Sequence, residues 1–168
     1  YLQQLNAYIY VLTETNDCVN LGSSYHYYHS EKLPTPYYKN GERRITIISK
    51  FQAQKILPVY NSLTSLAIEF ETPIGSLIAY GTITGIFGNR RADFLPELDL
   101  QVQDWRNLNN GNFLIAGDLN MSFSDNYYFT RVGRQKFVDA FRELDLVNLT
   151  ENVPQNIDHV IISREKLK

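Results

Sequence analysis

Four oxygen-bearing side chains stand where an apolar run gives way to a polar stretch or begins. The first two lie in Asn112-Phe113-Leu114-Ile115-Ala116-Gly117-Asp118-Leu119-Asn120, where a run of strand length meets a glycine and then Asp118 and Asn120. Residues 113–116 are apolar without alternation, the pattern of a strand covered on both faces. Gly117 lets the backbone turn or approach a ligand, and in an extended chain Asp118 and Asn120 point to the same side. A carboxylate beside a carboxamide suits a hard cation such as magnesium, or a phosphate whose attacking water must be held in line. The same residue types also make ordinary turns after strands. Glu14 follows the β-prone run 7–12 and is either a metal ligand or a solvated strand end. Asp158 precedes His159 near the start of 156–163, an arrangement that invites an acid–histidine reading, because a carboxylate that fixes an imidazole tautomer makes it useful at a phosphate.

The elements that must carry these residues follow from periodicity. Residues 1–6, with Leu2 and Leu5 three apart, look like the end of a helix, and 7–12 a strand. Residues 16–43 form a long polar, tyrosine-rich connection, broken by Pro34 and Pro36 and closing on Asn40-Gly41. Loops of this length are uncommon and tend to be functional. Its Tyr25, Tyr27, Tyr28, Tyr37 and Tyr38, with His26 and His29, either stack on bases or pack the loop onto the core. His26 and His29 lack a neighbouring carboxylate and a helical frame, which argues against zinc. Residues 44–48 read as a strand, and 65–70 and 76–82 as a hairpin around Pro73 and Gly75. Phe94, Leu98, Val102, Trp105 and Leu108 recur at helical spacing, with Asp93 as the expected cap. A second helix is expected over 133–144 and a last strand over 156–163. No repeat or low-complexity segment interrupts 1–168, which is expected to be one domain.

Composition narrows the function. The 168 residues are 43% hydrophobic and 20% charged, ordinary for a globular chain with a substantial core. A formal charge of −2 and a pI near 5.9 leave no overall basic field, so any nucleic-acid surface must be local. Arg43, Arg44, Arg90 and Arg91 are the basic candidates, and an ordinary solvated surface is their plain alternative. A single cysteine, Cys18, forms no internal disulfide, which points to a reducing, cytoplasmic setting. No apolar run reaches the ~20 residues of a membrane span. A monomer is expected.

Taken together, five segments carry a resemblance: Leu12-Thr13-Glu14-Thr15, Arg44-Ile45-Thr46-Ile47-Ile48-Ser49-Lys50, Ala79-Tyr80, Ile115-Ala116-Gly117-Asp118-Leu119-Asn120 and Ile157-Asp158-His159-Val160-Ile161-Ile162-Ser163. In order and spacing the chain resembles the endonuclease/exonuclease/phosphatase superfamily, the deoxyribonuclease-I-like group that contains exonuclease III and the abasic-site endonucleases. The resemblance covers nearly the whole chain. It implies an α+β fold of two mainly antiparallel sheets in a sandwich flanked by helices, a four-layer arrangement. It also implies hydrolysis of phosphate esters assisted by Mg2+ or Mn2+. By position, Glu14 matches the family's metal-ligating glutamate, Asp118 the aspartate that orients or deprotonates water, and Asn120 the amide that binds a phosphate oxygen. Tyr80 falls where some branches have a tyrosine touching phosphate, with Thr82 a weaker match.

Asp158 matches the aspartate of the family's penultimate strand, which orients the catalytic histidine, and His159 matches a variable position beside it. The family's catalytic histidine sits in a later Ser-Asp-His strand, and its opening strand ends in Asn. Neither is in these residues, so the chain, opening on Tyr1, resembles the middle of such a domain. The expected function is a metal-dependent nuclease acting on DNA. The alternatives are a phosphatase or phosphodiesterase of small or lipid phosphate esters, or an inactive binding member if the histidine strand is absent.

Overall fold

The computed structural model describes residues 2–32 and 39–167. Pro34, Pro36, Tyr37 and Tyr38 lie outside the described residues. Two sheets face each other. The smaller has the order β1 (Ile9–Asn16), β3 (Glu42–Ser49), β2 (His26–His29), with both pairs antiparallel. The larger has the order β4 (Ala53–Leu57), β5 (Ser65–Thr72), β6 (Gly75–Ile83), β7 (Phe113–Asp118), β9 (Asp158–Ser163), β8 (Leu146–Asn148). Only the β6–β7 pair in it is parallel, because α2 (Phe94–Leu108) crosses between them. The remaining helices are the single turn α1 (Leu2–Leu5) and α3 (Arg131–Glu143), and a 3₁₀ turn follows at Arg164–Leu167.

Alternation sorts the side chains into two cores. Ile45 and Ile47 of β3 meet Ile68 and Phe70 of β5 and Ala79 and Ile83 of β6 between the sheets. The other face of the large sheet buries Ala67, Ile78, Tyr80, Phe113, Ile115 and Ile161 against α2 and α3. There Trp105 stacks on Phe137 at 6.0 Å and Phe141 at 6.1 Å, joining the two helices. Each such aromatic or branched aliphatic side chain contributes about 1.5–3 kcal/mol by leaving water. Both long helices therefore lie on one side. The expected fourth layer is reduced, among the described residues, to α1 and the tyrosine-rich loop: the Tyr10 hydroxyl accepts from the Ala7 N–H and donates to the Leu2 carbonyl, while its ring meets Tyr25 edge-on.

Other expectations shift as well. The 16–43 connection contains β2, and its described tyrosines serve packing: Tyr25 bonds the Ala7 carbonyl, Tyr27 closes its own loop, and Tyr28 accepts from the Ala53 N–H. Three short strands, β2, β4 and β8, escape a period-2 reading because their outward positions are also half-buried or apolar. Helix α2 begins at Phe94, yet the Asp93 side chain makes no capping bond. Helix α3 starts two residues early, where Thr130 Oγ1 accepts from the Gly133 N–H.

Close backbone approach shapes the centre. At Gly81 a Cβ would stand 2.5 Å from Ile45 Cγ2, so the sheets meet there only because it is absent. At Gly117, φ is +140° and a Cβ would stand 2.0 Å from the Thr82 carbonyl oxygen. That atom is backbone and has no rotamer to escape into. Gly117→Ala is expected to force β7 from β6 and to cost about 3 kcal/mol, combining overpacking with an unfavourable φ; urea unfolding with an unchanged midpoint would contradict this.

Candidate active site

β7 brings the first two residues to one edge. Its register sets Asp118 opposite Ile83 of β6 on one side and Asp158 of β9 on the other. The chain then turns at Asn120, whose φ of +49° is left-handed, a conformation asparagine tolerates. The turn is closed by its own side chains: the Asn120 N–H donates to Asp118 Oδ1 at 2.7 Å, and Asn120 Nδ2 donates to the Thr84 carbonyl at 2.9 Å. The Asn120 carbonyl accepts from Asn89 Nδ2 at 2.7 Å.

Glu14 arrives from the other sheet. It does not end β1 but interrupts it: the ladder with β3 pairs Thr13 with Ile45 and Thr15 with Arg43 and skips Glu14, whose φ is +50°. A left-handed glutamate inside a strand is strained, by ~1–3 kcal/mol, and such strain gathers at functional sites. Its carboxylate is exposed and accepts from Arg44 Nη1 at 2.6 Å, while the Arg44 side chain is largely covered.

The carboxylates feel one another. Asp118 is pushed up to about 6, first by burial and then by the negative charges of Asp158 and Glu14, against the opposing bond from the Asn120 N–H. Asp158 is exposed at the start of β9. The edge thus gathers three acidic side chains and one amide: Asp118 and Asp158 from strand ends, Glu14 from the break within β1 and Asn120 from the turn. Among the described residues, no group of three or more His, Cys, Asp or Glu side chains is placed to hold a metal ion by protein atoms alone.

No protein-family model and no curated protein matches the sequence. The solved structures do. The endonuclease domain of TRAS1, a telomere-specific non-LTR retrotransposon, superposes with a TM-score of 0.71 at 13% identity, over 98% of this chain and 76% of that one. An AP endonuclease from Archaeoglobus fulgidus gives 0.71 at 11% identity, over 98% and 79%. An endonuclease/exonuclease/phosphatase from Beutenbergia cavernae DSM 12333 gives 0.65 at 13%, over 97% of this chain but only 57% of that one. The chain has the deoxyribonuclease-I-like fold that these structures share.

Within this deoxyribonuclease-I-like frame, Asp118, Asn120, Asp158 and Glu14 fall close to one edge. Tyr80 does not join them. It is fully buried in the helix-side core, edge-on to Trp105 at 6.4 Å, and its hydroxyl donates to Asp104 of α2 at 2.9 Å. The expected phosphate contact is therefore corrected: Tyr80 is three residues short of the strand end and faces the helices. Thr82 is also buried, bonded to Ser65 and Gln101. His159 is a core residue as well. Its Nε2 lies 2.8 Å from the Met121 carbonyl, so Nε2 carries the proton, and Nδ1 accepts from Asn148 Nδ2 at 3.1 Å, while the Thr150 hydroxyl donates to Asn148 Oδ1 at 3.0 Å. Burial holds its pKa below the ordinary value and keeps it neutral.

Two supporting residues escaped sequence reasoning. Gln101 lies under the strand ends, donating to Thr82 Oγ1 at 2.7 Å and accepting from Thr84 Oγ1 at 2.5 Å. A glutamine among the apolar positions of α2 was a visible signal of this. Asn89, the anchor of Asn120, had none beyond its glycine-flanked loop.

The Asp118 shift has a consequence for stability. The folded protein holds the Asp118 proton to about pH 6, whereas the unfolded chain releases it near 4. Its contribution is therefore full below about pH 4 and lost as pH rises through 6, a fall on the order of 2–3 kcal/mol. In chelator, Asp118→Asn is expected to remove that fall and to be more stable than the parent at pH 7. Parallel pH–stability curves for the two proteins would show the assignment to be wrong.

Proposed function

We propose that the chain hydrolyses phosphodiester bonds in nucleic acid, DNA first, with Mg2+ or Mn2+ as cofactor. The observation that carries this is the convergence of Asp118 and Asn120 with Asp158 and Glu14 at one edge of a deoxyribonuclease-I-like sandwich. Nucleases and phosphatases share that fold, which alone does not choose a substrate.

The donors fit a small hard cation. Magnesium takes one or two protein carboxylates and completes its shell with water and substrate oxygens, and Glu14 offers an exposed carboxylate oriented by Arg44. The crowding of three negative charges also favours a cation there. Bound at Glu14, the metal would neutralise charge developing on the phosphate.

The protein's own groups supply the rest. Asp118, fixed through Oδ1 by the Asn120 N–H, accepts a proton from the attacking water through its other oxygen. The water oxygen forms the new bond to phosphorus as the opposite P–O bond breaks, and solvent protonates the leaving oxygen. One Asn120 amide hydrogen is committed to Thr84, and the second is available to a non-bridging oxygen. Asp158 stands opposite Asp118 across the ladder, and the like charge between them makes the Asp118 carboxyl more basic.

In a second reading the site binds a phosphate ester without turnover; His159, next to Asp158, has both nitrogens committed to the core and offers no imidazole to a phosphate. One set of assays separates the two. Asp118→Ala and Glu14→Ala are each expected to lower cleavage of a DNA oligonucleotide by ~10²–10⁴-fold with an unchanged circular-dichroism spectrum, and chelator to abolish it. Full activity in either variant sinks the assignment. Chelator-insensitive binding without product favours the second reading, and cleavage of small esters alone moves the substrate away from DNA.

A further inference from the structure

The loop between β6 and α2 is built against the candidate site. Its first residue in the turn, Thr84, takes the Asn120 amide on its carbonyl, and Asn89 donates to the Asn120 backbone. Its underside is braced: the Gly85 N–H donates to Glu97 of α2, and the Phe94 ring lies 2.6 Å from where a Gly85 Cβ would be. From the neighbouring 121–130 loop, the Tyr128 hydroxyl lies 3.2 Å from a Cβ position at Gly88. These contacts fix the loop's base next to Asn120.

Its outer face is unlike a braced core loop. Phe87 is 68% exposed, and Arg90 and Arg91 are exposed with no ion pair among the described residues. Asp93, also exposed, is the first acid downstream. Tyr127, 61% exposed, stands on the adjoining loop. In a chain of formal charge −2, two neighbouring unpaired arginines beside an exposed ring make a local surface suited to a polyanion with flat faces. By contrast, Arg43 pairs with Asp17 and Arg44 with Glu14, so these two serve the fold and the site.

We propose that the 85–91 loop is a platform for single-stranded nucleic acid, with Phe87 stacking on an unpaired base next to the phosphate at Asn120 and with Arg90 and Arg91 holding the flanking phosphates. This rests on the nucleic-acid reading above and deepens it: the substrate is single-stranded or frayed at the cleavage point. A base within a duplex is covered on both faces by its neighbours, whereas an unpaired base offers a face to an aromatic ring. The arginines contact backbone and confer no sequence preference.

Binding in chelator, where no cleavage complicates the readout, tests the proposal independently of turnover. Anisotropy of a labelled oligo-dT is compared with that of an equally long strand of abasic sites and of a duplex. The native protein is expected to bind oligo-dT more tightly than either. Phe87→Ala is expected to weaken oligo-dT binding about tenfold and to leave the abasic strand unaffected, with Phe87→Trp restoring the loss. Arg90→Gln with Arg91→Gln is expected to flatten the log–log salt dependence by about 1.4. Absence of oligo-dT binding, equal affinity for dT and abasic strands, or a Phe87→Ala variant that binds like the parent would overturn the proposal. Phe87-dependent binding with no hydrolysis of any ester would remove the hydrolase reading and leave this one standing.

Discussion

The site hangs from the backbone ladder of β7. This strand is hydrogen-bonded on both sides, parallel to β6 and antiparallel to β9, so its C-terminal residues have little freedom to move. Gly117 is the condition for that closeness, since any side chain there would meet the Thr82 carbonyl. With β7 so placed, Asp118 faces Asp158 across the ladder and lies within electrostatic reach of Glu14. Burial and like charge then raise its affinity for a proton. The chemistry proposed for Asp118 is thus a consequence of strand register.

Beneath that edge lies a polar floor. Gln101 ties Thr82 to Thr84, Tyr60 and the Gly85 N–H both donate to Glu97, and Tyr80 donates to Asp104. Burial holds the carboxyls of Glu97 and Asp104 above their ordinary values. Such groups are costly unless satisfied, and their hydrogen bonds secure α2 to the ends of β5 and β6. Tyr80 belongs to this floor, and its contribution to the site is the stiffness of the strand that leads into Thr84.

Two residues at the same edge have positive φ, strained at Glu14 and tolerated at Asn120. Glu14 and Asn120 both adopt left-handed conformations, each next to the residues that hold it: Arg44 for Glu14, Asp118 and Thr84 for Asn120. The deoxyribonuclease-I-like fold persists at 11–13% identity because burial pattern and strand order, not particular side chains, specify it. The loop ends that face the edge are free to vary under that constraint, and the exposed ring of Phe87 lies on one of them.

Much was legible in the residues themselves. The uninterrupted apolar run before Asp118, the Pro-Gly hairpin and the helical spacing of Phe94 to Leu108 marked a buried strand, an antiparallel pair and a covering helix, the two-sheet sandwich followed from the resemblance carried by five segments, and the acidic residues beside apolar runs marked the edge. The short strands β2, β4 and β8 were not legible, because three to five residues carry too little periodicity to stand out. Nor were the directions of Tyr80 and His159: a side chain's face depends on the register and twist of its neighbours, and one sheet face separates an active-site residue from a core residue. The places of Asp118, Asn120 and Asp158 at or beside strand ends were determined by sequence alone, because strand-to-loop transitions are local, whereas the place of Glu14 inside β1 was not. Only the tertiary structure decided which of them share a field, because charges on β1, β7 and β9 meet through pairings between distant parts of the chain.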